Sequence, residues 1–234
     1  RPRVGARAAL FIKELRVLRA LAPGDEHVIR RVVLRPGLNI LWAQVDPEGQ
    51  GEGEVEAGLS GHAAGKTTFC RFLRYALGEP SFGDEGLRRA LRVTFPDAWL
   101  VAEVHVRGEA WVVCRPIGVG AHPFVLRGQG LDALFDPGVE REELALYQQA
   151  LDGLVRDGHG EPLVLPSTRL SGGSGGEAPL RFAHLLQWLA RDQECRLADL
   201  LAFRDPASES GAPLLDTAER QFLVRAVLGL LSPF

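Results

Sequence analysis

The stretch Ser60-Gly61-His62-Ala63-Ala64-Gly65-Lys66-Thr67-Thr68-Phe69 limits what this chain can fold into more than any other. Gly65-Lys66-Thr67 closes the pattern G-x-x-x-x-G-K-[ST], in which glycines let backbone N–H groups turn inward onto phosphate oxygens. The lysine then supplies a compact positive charge and the hydroxyl a Mg²⁺ ligand. The first glycine of the pattern falls on Ser60, with Gly61 one place later. From Thr68 to Leu77 apolar side chains recur at helical spacing, and Gly78 supplies a stop. A helix N-terminus would therefore point at the bound phosphates. Composition sharpens this reading, because only Lys13 and Lys66 are lysines among 27 basic residues.

With 234 residues and 46% hydrophobic content, the chain can bury one large core or two small ones. Its net charge of −3 excludes a polyelectrolyte binder of nucleic acid, so any such surface must be a local arginine patch. Arg16, Arg19, Arg30, Arg31 and Arg35 form the densest candidate, against the plainer reading of solvated strand ends. Cys70, Cys114 and Cys195 are odd in number and outside any metal spacing, which reads as reduced thiols. No apolar run reaches membrane length, and a cytoplasmic protein without a membrane partner is the expectation. The absence of methionine and the apolar helical run Phe222 to Leu231 just before the end lead us to expect an excerpt of a longer polypeptide.

In chain order, Leu10–Leu18 and His27–Leu34 read as strands around the turn Pro23-Gly24-Asp25-Glu26. Leu38-Asn39-Ile40-Leu41-Trp42-Ala43 suits a buried central strand. The segment from Gln44 to Leu59 then intervenes before the loop, and its five carboxylates should point away from a triphosphate. Trp99–Val106 and Ala110–Arg115 flank Arg107-Gly108-Glu109 as a hairpin, with Phe124–Arg127 a third strand. Helices are expected over Glu140–Val155, Leu180–Arg191 and from an Asp216 cap to Leu231. Leu170-Ser171-Gly172-Gly173-Ser174-Gly175-Gly176 reads first as a flexible connection. Its Leu170-Ser171-Gly172-Gly173 also resembles the signature motif of ABC-type ATPases, and by letter only Gly172-x-Ser174-x-Gly176 fits a nucleophile elbow, whose flanking strand and helix are missing. No apolar strand ending in an Asp-Glu pair follows it.

Two strands, the Pro36-Gly37-Leu38-Asn39-Ile40 run, the Gly65-Lys66-Thr67 loop, a helix ending in Leu77-Gly78 and a strand meander resemble the N-terminal head half of SMC-like ABC-type ATPases. The loop wording is closer to the bacterial SMC-like branch, which includes ATPases of antiviral defence systems. The resemblance implies an α/β P-loop NTPase head with an antiparallel meander and flanking helices. Residues 9–130 would hold strands, loop, helix and meander, and residues 131–234 a mainly helical part leading towards a coiled coil. It implies ATP and Mg²⁺ as cofactors, with Gly61, His62, Ala63, Ala64, Gly65, Lys66, Thr67 and Thr68 around the phosphates. Thr67 would ligate the metal, and Arg16 or Arg19 would approach the nucleotide. A glutamine, Gln193 in preference to Gln129, would join Mg²⁺ and the attacking water beside Lys66.

The same resemblance implies partners: a C-terminal half carrying the signature and the acidic pair, a second copy through ATP-sandwiched heads, double-stranded DNA, and an effector subunit. Hydrolysis would be slow in a chain lacking the acidic base. Two other readings stand beside it. One is a nucleotide-regulated scaffold that recruits an effector such as a nuclease, and the other is a self-contained P-loop kinase or NTPase.

Overall fold

The computed structural model describes residues 8–40, 66–83, 85–119, 121–156, 160–165, 178–190, 201, 215–228 and 230. Alternation along the first strand, β1 (Leu10–Leu18), divides its side chains between two destinations. Leu15 and Val17 enter the larger core, whereas Leu18 joins a smaller core on the opposite face together with the Glu14 and Arg16 side of the strand. Its register shifts between Ile12 and Glu14, so Lys13 sits in a bulge that resets the alternation.

Beyond β1 the chain forms β2 (Val28–Val33), α1 (Lys66–Ala76), α2 (Glu85–Thr94), β3 (Trp99–Val106), β4 (Glu109–Pro116), β5 (Phe124–Arg127) and β6 (Glu142–Glu143). There follow α3 (Leu144–Asp152), β7 (Val164–Leu165), β8 (Ala178–Pro179), α4 (Phe182–Leu189) and α5 (Thr217–Val227). The main sheet has six strands in the order β2-β1-β3-β4-β5-β6, and every pairing in it is antiparallel. β7 and β8 form a separate antiparallel pair.

The β3–β4 hairpin turns through Arg107 and Gly108, at φ 51° and 88°. Consecutive left-handed residues are what a two-residue hairpin loop needs to match the twist of its strands. In β3, Leu100, Ala102 and Val104 join the larger core with Tyr75, Ala76, Tyr147, Leu151, Leu186 and Leu223 from four helices. Trp99 and Val101 face the other way, onto Val112, Cys114, Phe124 and Leu126, and the loop residues Leu131 and Leu134 cover them. The middle of the sheet is thus dry on both faces, and the chain after residue 131 contributes to the same core as the strands before it.

Most elements follow the sequence reading, and the departures have local causes. The expected strand at Leu38–Ala43 is absent over the described part: Leu38 and Ile40 are not in a strand and are 87% and 75% exposed. Asn39 explains the backbone there. Its Oδ1 accepts the Arg35 N–H at 2.9 Å, while Nδ2 donates to the Arg35 and Gly37 carbonyls at 2.7 and 3.1 Å. The Asn39 side chain thus ties the backbone of Arg35 and Gly37 into a local turn just where a strand would have to start. Residues 41–43, and the acidic segment up to Leu59, lie outside the described residues.

The helix expected over Glu140–Val155 is shorter at both ends. Glu142 and Glu143 pair with Val125 and Phe124 first, so the sheet edge takes their backbone groups before α3 can start. At the other end the Leu154 and Val155 N–H groups fall back on Leu151 and Asp152 in a tight turn. The helix read from Leu180 to Arg191 narrows likewise to α4. Asp216 does cap α5, accepting the Glu219 N–H at 2.9 Å while Glu219 returns a bond to the Asp216 N–H at 2.7 Å. α2 is an addition: Leu87 and Leu91, four apart, pack on the core beneath exposed arginines.

Candidate functional site

α1 is the element around which a phosphate site would be built, and its two ends differ in kind. At its N-terminus the first turn, Lys66-Thr67-Thr68-Phe69, contains no acidic residue. The positive end of the helix dipole therefore meets no acidic residue in that turn. Gly61, His62, Ala63, Ala64 and Gly65 lie outside the described residues, and Thr68 is half-buried.

At its C-terminus α1 is locked down. Gly78, at φ 99°, takes the left-handed conformation that ends a helix. Arg115 reaches from β4 to the carbonyls left over there. It donates to Tyr75 O, to Glu79 O at 2.7 Å and to Pro80 O at 3.3 Å, and its guanidinium lies 3.6 Å from the Tyr75 ring centre. A cation at a helix C-terminus meets the negative end of the dipole as well as the free acceptors. Burial pulls the Arg115 pKa down, and the neighbouring tyrosines and Glu79 oppose that pull. Two further bonds finish the clamp, from Tyr75 Oη to Pro116 O at 2.8 Å and from Tyr147 Oη to Ala76 O at 3.2 Å. Beside them Arg74 and Glu79, 2% and 4% exposed, pair at 2.9 Å. α1 is thereby fixed to the sheet by the end remote from the loop.

On the opposite face of the sheet Arg16 belongs to a different constellation. Its Nε donates to Glu14 Oε1 at 2.6 Å, and Arg31 binds the same carboxylate through Nε at 2.7 Å and a second nitrogen at 3.2 Å. Next to it, Glu103 accepts from Lys13 Nζ at 2.8 Å, His105 Nε2 at 3.0 Å and the Leu131 N–H at 3.1 Å. Burial pushes both carboxyls up, but the Arg31 and Arg16 bonds at Glu14, and the Lys13, Leu131 and His105 bonds at Glu103, outweigh it and leave both lowered. With their oxygens engaged, these carboxylates serve the fold rather than acid–base chemistry.

The arginines grouped in the sequence are therefore divided in space. Arg16 and Arg31 are register partners over Glu14, Arg30 pairs with Val17 on the other face, and Arg19 lies 6.0 Å from the Phe95 ring. Arg16 lies on the face of the sheet opposite the one on which the C-terminal part of α1 packs. Gln129 is half-buried next to Gly130, whose neighbourhood includes Glu103. Gln193 lies outside the described residues, as does the Gly172–Gly176 connection. Cys114 is buried with its thiol pKa raised by burial, and Cys70 is half-buried.

Sequence reasoning missed Arg115 and His184. A lone arginine at the end of a strand carries no signal that it will cap a helix forty residues earlier in the chain. Among the described residues no group of three or more His, Cys, Asp or Glu side chains could hold a metal, and no helix is long and apolar enough to cross a membrane. Comparison with protein-family models, with curated proteins and with solved structures returns no match.

Proposed function

We propose that this chain is the ATP-binding N-terminal lobe of an SMC-like ABC-type ATPase head. The observation that carries the reading is that Lys66 and Thr67 lie on α1, in a first described turn that contains no acidic residue. A phosphate loop requires its lysine at that place. The arrangement of β1 and β2 before the loop and the β3–β4–β5 meander after it agrees with the order of such a head. Lys66 and the helix N-terminus would neutralise the β- and γ-phosphates, and Thr67 would ligate Mg²⁺.

The bare run Leu38 to Ile40 also supports the reading. Each large aliphatic side chain left in water forgoes about 1.5–3 kcal/mol of burial, so a run of them is favourable only when covered. In a head of this type the cover would be the strands of the C-terminal half. Double-stranded DNA, a second copy and an effector subunit are partners proposed from the resemblance.

The test is calorimetric titration of Mg-ATP into the chain and into Lys66→Ala, with phosphate release followed in parallel. Binding that the substitution weakens at least about tenfold, a loss of about 1.4 kcal/mol, with little release, supports a half-site. Absence of binding overturns the reading, and fast release from the chain alone favours a self-contained NTPase.

A further inference from the structure

A cavity of about 390 Å³ lies between the end of α1, the C-terminal part of α3 and the start of α4. Its volume is in the range that small ligands occupy. Leu151 and Phe182 give it an apolar floor, while Gln148, Asp152, Arg181 and His184 bring polar groups to its wall. It adjoins a second hollow of about 600 Å³, into which Arg156 also faces, with Gln148, Asp152 and Arg181 shared between the two.

His184 is the telling group. It is only 6% exposed. Its Nδ1 accepts the Arg181 N–H at 2.9 Å, which places the proton of the neutral ring on Nε2. Burial first, and the Arg181 charge second, hold its pKa below the ordinary histidine value, so the ring stays neutral and Nε2 remains a donor. Among the described residues that Nε2–H meets no acceptor. The Arg181 guanidinium and the Gln148 amide, on the same wall, likewise have no side-chain bond among the described residues. Against these donors stands the Asp152 carboxylate, whose Oδ1 is already occupied by the Phe182 N–H at 2.8 Å. The Gln148 Oε1 and the second Asp152 oxygen remain as acceptors, and the Arg181 guanidinium with the His184 Nε2–H supplies more N–H donors than these take up, beside an apolar floor.

We propose that this cavity binds a small organic anion, a carboxylate or phosphate monoester on an apolar body. Its anionic oxygens take the His184 Nε2–H and the Arg181 guanidinium, and its apolar part lies on Leu151 and Phe182. The floor argues for a body beyond bare phosphate. The site is separate from the nucleotide reading: it touches Leu77 and Gly78, and Lys66 stands at the other end of α1, about 16 Å away at 1.5 Å per residue.

The experiment is ¹⁵N-detected NMR titration of the full chain with phenyl phosphate, benzoate and the neutral isostere benzamide. It is repeated on Arg181→Gln, an exposed position, on His184→Phe, and on Lys66→Ala. The expected result is binding of both anions at least about tenfold tighter than benzamide, with loss of about fivefold or more in Arg181→Gln, movement of the His184 Nε2 resonance, and no change in Lys66→Ala. The tighter of the two anions then identifies the headgroup. Equal affinity for benzamide, unchanged affinity in Arg181→Gln, loss of binding in Lys66→Ala, or no binding at all would overturn the proposal. None of these outcomes depends on whether the chain binds ATP.

Discussion

Glu14 and Glu103 are register partners on β1 and β3, so two buried carboxylates stand side by side on one face of the sheet. Like charges directly opposite each other weaken a sheet. Here Arg16 and Arg31 on one side and Lys13, His105 and the Leu131 N–H on the other surround the two carboxylates with donors, three of them formally cationic against two negative charges. Glu103→Ala should cost about 1–3 kcal/mol, because the Leu131 N–H loses its acceptor. Glu103→Gln keeps an acceptor oxygen and relieves the repulsion with Glu14, and should cost less. Urea unfolding of the two variants would check the order, which the opposite ranking would refute.

Because both folded carboxyls sit below their ordinary 4.5, their contribution is fully present above that pH and is lost as the pH falls through the lowered values. Stability should therefore drop on acidification below about pH 4.5, and less steeply in a Glu14→Gln, Glu103→Gln double variant. Thermal midpoints from pH 6 down to pH 3 would show it.

A second, milder slope should precede that one. His184 is lowered from 6.5 by burial, so the unfolded chain takes up its proton first as the pH falls, and stability declines below pH 6.5. His184→Gln, which does not titrate, should flatten the curve just below pH 6.5. An unchanged slope would mean that the ring is not held neutral.

Arg115 should be the most costly surface-remote polar residue to lose. Arg115→Ala strands the Tyr75 and Glu79 carbonyls, each worth about 1–3 kcal/mol when buried without a donor. Arg115→Lys restores the charge but not the fork that meets several carbonyls, and should recover only part. Chemical unfolding gives the stabilities, and amide exchange of α1 should rise in both variants.

Gly118 tests close packing rather than backbone conformation. A Cβ there would stand 1.7 Å from the Pro96 carbonyl oxygen, so Gly118→Ala must push two loops apart at about 1–3 kcal/mol. At Gly37 nothing lies within 4 Å, but φ is 99°, and Gly37→Ala should cost only the strain of that conformation. The thermal midpoint should fall further for Gly118→Ala.

The sequence by itself determined the elements whose signals are local. The apolar run Leu10–Leu18, the Arg107-Gly108 turn and the branched runs around it, the apolar spacing after Lys66 with Gly78 as its stop, and the Asp216 cap each need only neighbouring residues to act. Only the tertiary structure decided what depends on distant partners. Glu142 and Glu143 read as helix until β5 offers them an edge, and the arginines of β1 and β2 read as one patch until register sends them to different faces. Arg115 becomes a helix cap because β4 passes the end of α1, and His184 becomes a buried neutral donor because α4 folds over α3. Charge and hydrogen-bonding capacity are written in the residue type. Which carbonyl, carboxylate or cavity receives them is set by the packing of segments far apart in the chain.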